Sequence, residues 1–193
     1  MGIQRTDASL HWSYFLALEE DLERLSRFVD FSANDETYSL EIARLLLSSS
    51  SEVDVVLRQL SKIYVEDSLA SNINAYFPIV REHTDDFIKF EVTLPRYGLT
   101  LQPWSNWEEN EPPLWWQAHN KVKHHRHEHF TKASLKNCLI AVAALYISVL
   151  YLLKAQGVDE EALQIPRILN VANKYKHSAY MGQYGQFIAY NYN

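Results

Sequence analysis

The chain has 193 residues, with 18 Lys+Arg against 24 Asp+Glu and a single cysteine, Cys138. This length suits one domain that buries well over half of its unfolded surface, and 47% hydrophobic residues exclude a disordered chain. One cysteine excludes an intramolecular disulfide framework and a thiolate zinc cage. It fits a reducing, cytoplasmic setting, as does the lack of a charged n-region followed by an apolar h-region at the start.

In chain order, the first predicted helix covers residues 9–30. Leu10, Tyr14, Leu18, Leu22, Leu25 and Val29 recur at three- and four-residue steps, with Asp7 or Ser9 as its cap. Ser32-Ala33-Asn34-Asp35 is a turn signal. A longer helix runs from about Thr37 to Tyr64, with Leu40, Leu45, Leu46, Val53, Val56, Leu57, Leu60 and Ile63 as its apolar positions. Four serines, Ser48 to Ser51, lie inside it; the periodicity resumes without Gly or Pro, which favours one continuous helix. Glu52 and Asp54 read as a solvated face, with Arg58 four residues after Asp54 as an ion-pair partner.

A third helix is expected over 69–83, capped by Ser71 and either kinked or started by Pro78. Phe87 to Leu94 and Leu99 to Leu101, separated by Pro95-Arg96-Tyr97-Gly98, predict a small hairpin. Residues 103–116 form a loop that carries four of the five tryptophans. A fourth helix starts near Pro112-Pro113 and runs to about His125. A fifth runs from Thr131 to Gln156, and its centre, Cys138 to Leu153, is uncharged. That run is shorter than the roughly 20 residues of a membrane span and reads as a central bundle helix, closed by Gly157. A short helix interrupted at Pro166 is expected over 158–171. The Tyr-rich tail, 172–193, either packs on the bundle or extends to a partner. The fold class is therefore all-α: one domain over 1–193, a bundle of five to six helices with a small β insertion, a core over 9–155 and an extension over 158–193.

Charge and histidine are unevenly placed. Residues 1–100 carry a balance of −8 and residues 101–193 one of +2. Five of the eight histidines (His119, His124, His125, His127, His129) fall within 119–129, among Lys121, Lys123, Arg126 and one acid, Glu128. At 100° per residue, Trp115, Ala118, Val122 and His125 form the core stripe, while Trp116, Asn120, Lys123, His124 and His127 share another face. This segment fits three kinds of chemistry. Alternating histidines suit a transition metal, but the three cations repel one, so no metal and no cofactor are expected. Lys and Arg with a histidine near neutrality suit RNA or nucleotide phosphate, where metal-free cleavage needs a proton shuttle and a cation for the developing charge. Lys and His at a helix C-terminus also simply complement its dipole.

Asn120, Lys123, His124 and Arg126, set as Asn-x-x-Lys-His-x-Arg ahead of a long apolar helix, resemble the HEPN superfamily over roughly residues 9–155. The resemblance implies an all-α homodimer directed at RNA. It implies either a metal-independent endoribonuclease of a toxin–antitoxin or phage-defence system, or a non-catalytic RNA-, nucleotide- or protein-binding module. Active members carry an Arg with a His four to six residues on; Arg126 with His129, three residues on, is the nearest match here. On this basis His124, His127, His129 and Arg126 are the candidate catalytic residues, and Asn120, Lys121 and Lys123 bind substrate. Trp104, Trp107 and Trp116, with the Tyr-rich tail, are the candidate surface for a protein partner; no membrane association is expected.

Overall fold

The computed structural model describes residues 10–158, 163–182 and 185–192, and of residues 177–182 and 185–189 it describes the backbone alone. Among these, five α-helices form the body: α1 (Leu10–Leu25), α2 (Leu40–Tyr64), α3 (Ile73–His83), α4 (Leu114–His129) and α5 (Leu135–Ala155). Five short strands accompany them: β1 (Val92–Leu94), β2 (Leu99–Leu101), β3 (Asn170–Val171), β4 (Lys176–Gly182) and β5 (Gly185–Tyr190). The fold is mostly α with a small β component.

α5 is the central element. Its residues from Cys138 to Leu153 are buried apart from the half-buried Ile140, and α2 packs along it more extensively than any other helix. α1 and α4 also pack on α5, and α3 packs on α2. α5 is long and apolar enough to cross a membrane, but here its apolar surface is covered by the bundle. Each fully buried Leu or Ile on it contributes about 2 kcal/mol. Ser134 caps its start by accepting from the Asn137 amide at 3.4 Å. Its end is a Schellman turn. Gly157 takes φ +68°, its N–H donates to Lys154 O, and Val158 N–H donates to Leu153 O. Burial pushes the Cys138 thiol up to about 12, which suits a packing residue.

α2 is continuous through the serine run. The Ser49 hydroxyl donates to Leu45 O at 2.7 Å, so it bonds within the helix instead of breaking it. Asp54 pairs with Arg58 at 2.9 Å, as its spacing predicts. Glu52 is partly buried in a side-chain pair: it accepts from His11 Nδ1 at 2.6 Å, and the Gln59 amide donates to His11 Nε2 at 2.9 Å. α1 keeps Leu18, Leu22 and Leu25 of the predicted stripe inside, but its N-terminal positions differ and it ends at Leu25 and not at residue 30. Trp12, Phe15, Leu18, Leu22 and Leu25 are buried, whereas Leu10 and Tyr14 are exposed. The Asp7 and Ser9 caps lie outside the described residues.

α3 starts at Ile73, not at residue 69. The Asn72 side chain caps it, accepting from the Asn74 and Ala75 amides at 3.1 Å each, so Ser71 is not the cap. Pro78 sits inside the helix. The predicted hairpin is present, with Val92, Thr93 and Leu94 opposite Leu101, Thr100 and Leu99 and with Gly98 in the left-handed region at φ +65°. Residues Phe87–Lys89 form a single 3-10 turn instead of strand.

The C-terminal part corrects the expected helix over 158–171. Among the described residues of 158–171 there is no helix; Asn170 and Val171 instead pair with Thr93 and Val92 to complete an antiparallel sheet of order β2-β1-β3. This chain segment is held by a buried carboxylate. Glu19 of α1, 1% exposed, accepts from the amides of Ile168 and Leu169 at 2.6 and 3.1 Å. The tail packs on the bundle at both ends of the β4–β5 hairpin. Tyr175 stacks on Phe90 at 4.0 Å, the Tyr192 hydroxyl donates to Leu150 O at 2.9 Å, and Lys154 donates to Tyr192 O.

The tryptophan-rich loop is also core. Trp104, Trp107 and Trp115 are 0–1% exposed and Trp116 8%. Trp104 contacts Phe87, Trp107 and Trp115 at 5.2, 4.4 and 5.4 Å between ring centres. Trp115 Nε1–H donates to Pro103 O at 2.9 Å. Trp104, Trp107 and Trp116 are thus spent on packing within the monomer and do not form an exposed aromatic partner surface.

Candidate functional site

α4 carries the polar cluster, and its faces do different things. Pro113 precedes its first turn, and Trp115, Ala118 and Val122 are buried as predicted. His125 is not: it is exposed, because the helix breaks there, with φ −137° and ψ 46°. The residues after the break leave the face that periodicity assigned to them. His127 pairs with Glu128 at 3.1 Å, and His129 reaches the other Glu128 oxygen at 4.0 Å. His124, Arg126 and His127 are exposed, and no two of His124, Arg126, His127 and His129 are hydrogen-bonded to each other among the described residues. Among the described residues no three His, Cys, Asp or Glu side chains converge as a metal site.

On one flank of α4 lies a cavity of about 720 Å³ between α4, the 3-10 turn Phe130–Lys132 and the start of α5. Lys121, Lys132 and Lys136 line it together with one acid, Glu36, and with Gln102, Gln117 and Asn137. These three lysines, like Lys123 and Arg126, have no carboxylate within 4.0 Å among the described residues. Arg24, Arg44, Arg58 and Arg167 elsewhere are ion-paired, while Arg27, Lys62, Lys89 and Arg96 have no ion-pair partner among the described residues but do not line this cavity. Unpaired like charges gathered at a concave surface raise the local potential and favour an anionic partner.

On the other flank is a groove of about 460 Å³, formed by Ser51 and Asp54 of α2, Ser71 to Asn74 at the start of α3, and Trp116, His119, Asn120 and Lys123 of α4. His119 is 2% exposed, and neither Nδ1 nor Nε2 has a hydrogen-bond partner. Its ring lies 5.0 Å from that of Trp116. Burial first, then the charges of Lys123 and His124, push its pKa down to about 4, against a smaller opposing effect of Asp54.

Neutral His119 makes stability depend on pH. Between about pH 6.5 and 4 the unfolded chain binds a proton at this residue that the folded chain refuses, so stability falls as pH drops. The loss is about 1.4 kcal/mol at pH 5.5 and about 3 kcal/mol below pH 4. Urea unfolding of the wild type and of His119→Phe at pH 7.5, 5.5 and 4 should show the gap between them change by these amounts. Parallel losses in the two proteins would refute a neutral buried His119.

The structure therefore divides the predicted site. Lys121 joins one cavity, Asn120 and Lys123 join the other, and His124, Arg126, His127 and His129 line neither. Sequence reasoning missed Lys132 and Lys136, which lie beyond the helix end and enter the cavity only because α5 returns beside α4. It also gave His119 no role, although its place next to Ala118 in the core stripe signalled burial. No family model, no curated protein and no solved structure matches the chain.

Proposed function

We propose that the protein is an RNA-directed, HEPN-like module that binds the phosphates of single-stranded RNA along the C-terminal half of α4 and the lysine-lined cavity beside it. The observation that carries this is the set of unpaired cations, Lys121, Lys132 and Lys136, around one concave surface, with exposed Arg126 further along α4. Lysines act as point charges on phosphate and release its counterions, which makes the affinity strongly salt-dependent. The geometry supports binding over cleavage. A metal-free nuclease needs its proton shuttle and its cation aimed at one reacting phosphate, and the candidate histidines stand apart from both cavities.

The test is a mobility-shift titration of a single-stranded RNA oligonucleotide in EDTA, with intact RNA checked on a denaturing gel. Lys121→Glu/Lys132→Glu/Lys136→Glu should weaken binding by at least about 100-fold, and replacing three phosphate contacts should lower the salt slope by about 2. All three residues are exposed, so the unfolding midpoint should stay close to that of the wild type. Wild-type affinity in the folded triple variant would refute the proposal. Cleavage in EDTA that is lost in His124→Ala, His127→Ala or His129→Ala would replace binding with catalysis.

A further inference from the structure

We propose that the groove between α2, the start of α3 and α4 is a second, separate binding site, and that it takes a phosphate monoester. Three independent features meet there. The first is His119, which is almost fully buried against the groove with both ring nitrogens lacking partners. Buried polar atoms are ordinarily satisfied, and an unmade hydrogen bond is costly. Because His119 lines the groove, a phosphate oxygen or hydroxyl seated there can meet hydrogen-bonding capacity that the protein itself leaves unused.

The second feature is charge. Lys123 faces the groove with no carboxylate within 4.0 Å among the described residues. The one acid that lines it, Asp54, is already engaged: Oδ2 accepts from Arg58 at 2.9 Å and Oδ1 from the Tyr76 hydroxyl at 3.0 Å. The groove therefore offers a free cation and no free anion. The third feature is the α3 N-terminus, whose dipole points its positive end at the same space. Asn72 already satisfies the Asn74 and Ala75 amides, so the contacts offered to a ligand come from side chains, those of Asn120, Ser71 and Asn74, while the helix contributes its field. Trp116 forms an aromatic wall beside His119, against which the organic part of an ester can lie. Volume, charge and donors together exceed what a halide needs and fit a phosphate with an attached organic group.

The site does not depend on the RNA-binding reading, because inorganic phosphate alone probes it. Calorimetric titration of the full chain with inorganic phosphate, in a chloride buffer of constant ionic strength, should show saturable binding. Lys123→Gln and Asn120→Asp, both at exposed positions that tolerate substitution, should each weaken it by about tenfold or more. Arg27→Gln, in the turn after α1 and outside the groove, should leave it unchanged. No saturable binding, or binding indifferent to both groove variants in folded protein, overturns the proposal. Two further ligands identify the source of the monoester. A nucleoside 5′-monophosphate that binds tighter than phosphate, with the same sensitivity to Lys123→Gln, makes it a free small molecule. A 5′-phosphorylated RNA that outbinds its 5′-hydroxyl counterpart only while Lys123 is present makes it an RNA end. Phosphate binding here without RNA binding at the lysine-lined cavity upholds this site and refutes the other, and the converse holds equally.

Discussion

Trp104→Ala should lower the unfolding free energy by about 4 kcal/mol, the range seen when a large buried aromatic is truncated. Trp104 is 0% exposed and sits at the junction of Phe87, Trp107 and Trp115. These rings tie the loop before α4 to the rest of the core: Phe87 packs edge-on against Tyr151 of α5 at 4.9 Å, and Trp107 packs on Phe77 of α3 at 5.1 Å. Removing the indole leaves a cavity that neighbours tied to three helices cannot collapse to fill. Trp104→Phe should cost far less, about 1 kcal/mol. It keeps a ring in place and removes an indole N–H that has no hydrogen-bond partner. Urea denaturation followed by circular dichroism checks both. A Trp104→Ala protein within about 1 kcal/mol of the wild type would mean that this loop is not part of the cooperative core.

Glu19→Ala should be comparably destabilising, also by about 4 kcal/mol, for a different reason. One carboxylate oxygen accepts two amide protons, from Ile168 and Leu169, inside the bundle. Hydrogen bonds to a charged acceptor contribute about 1.5–3 kcal/mol each, and truncation also leaves two buried N–H groups without a partner. Glu19→Gln keeps an acceptor but not the charge and should recover roughly half of the loss. Because these amides belong to the segment that leads into β3, the effect should be local as well as global. In hydrogen exchange the Ile168 and Leu169 amides should lose protection in Glu19→Ala under conditions where the α5 amides stay protected. Unchanged protection at both amides would refute the role of the carboxylate.

These two residues also mark where the sequence stops being informative. Trp104 lies in a segment with prolines and acids, which reads as loop, and loops usually run on the surface. Nothing local says that this loop is laid across the end of the bundle with its rings inward. Glu19 lies in a run of acids, Glu19-Glu20-Asp21, where a solvated face is the natural reading. Its partners are about 150 residues away. The same holds for Glu52, whose partner His11 sits on another helix. α1 is a milder case. Leu18, Leu22 and Leu25 are buried as their spacing predicts, and only the neighbouring helices decide that Trp12 and Phe15 continue this face in place of Leu10 and Tyr14.

The candidate site was legible in part. Clustering of His, Lys, Arg and Asn on one helix was visible in the sequence, and so was the end of that helix near residue 125. Which side each residue faces was not. His125 belongs to the core stripe by rotation, and the backbone break at that very residue turns it outward. His119 needed burial against Trp116 and α2 to become a neutral, unpartnered imidazole. Lys132 and Lys136 needed the reversal of chain direction between α4 and α5 to join Lys121.

The sequence by itself determined the five main helices and several local features: the apolar run of α5, its glycine stop, the unbroken α2 and the tight turn at Gly98. Each of these rests on bonds between residues a few positions apart, so each can be read from spacing and residue type. Only the tertiary structure decided what lies inside and what is gathered at the two cavities. Burial and unpaired charge depend on groups brought together from residues as far apart as Ser51 and Lys123, and their cost or benefit arises only when packing removes water from between them.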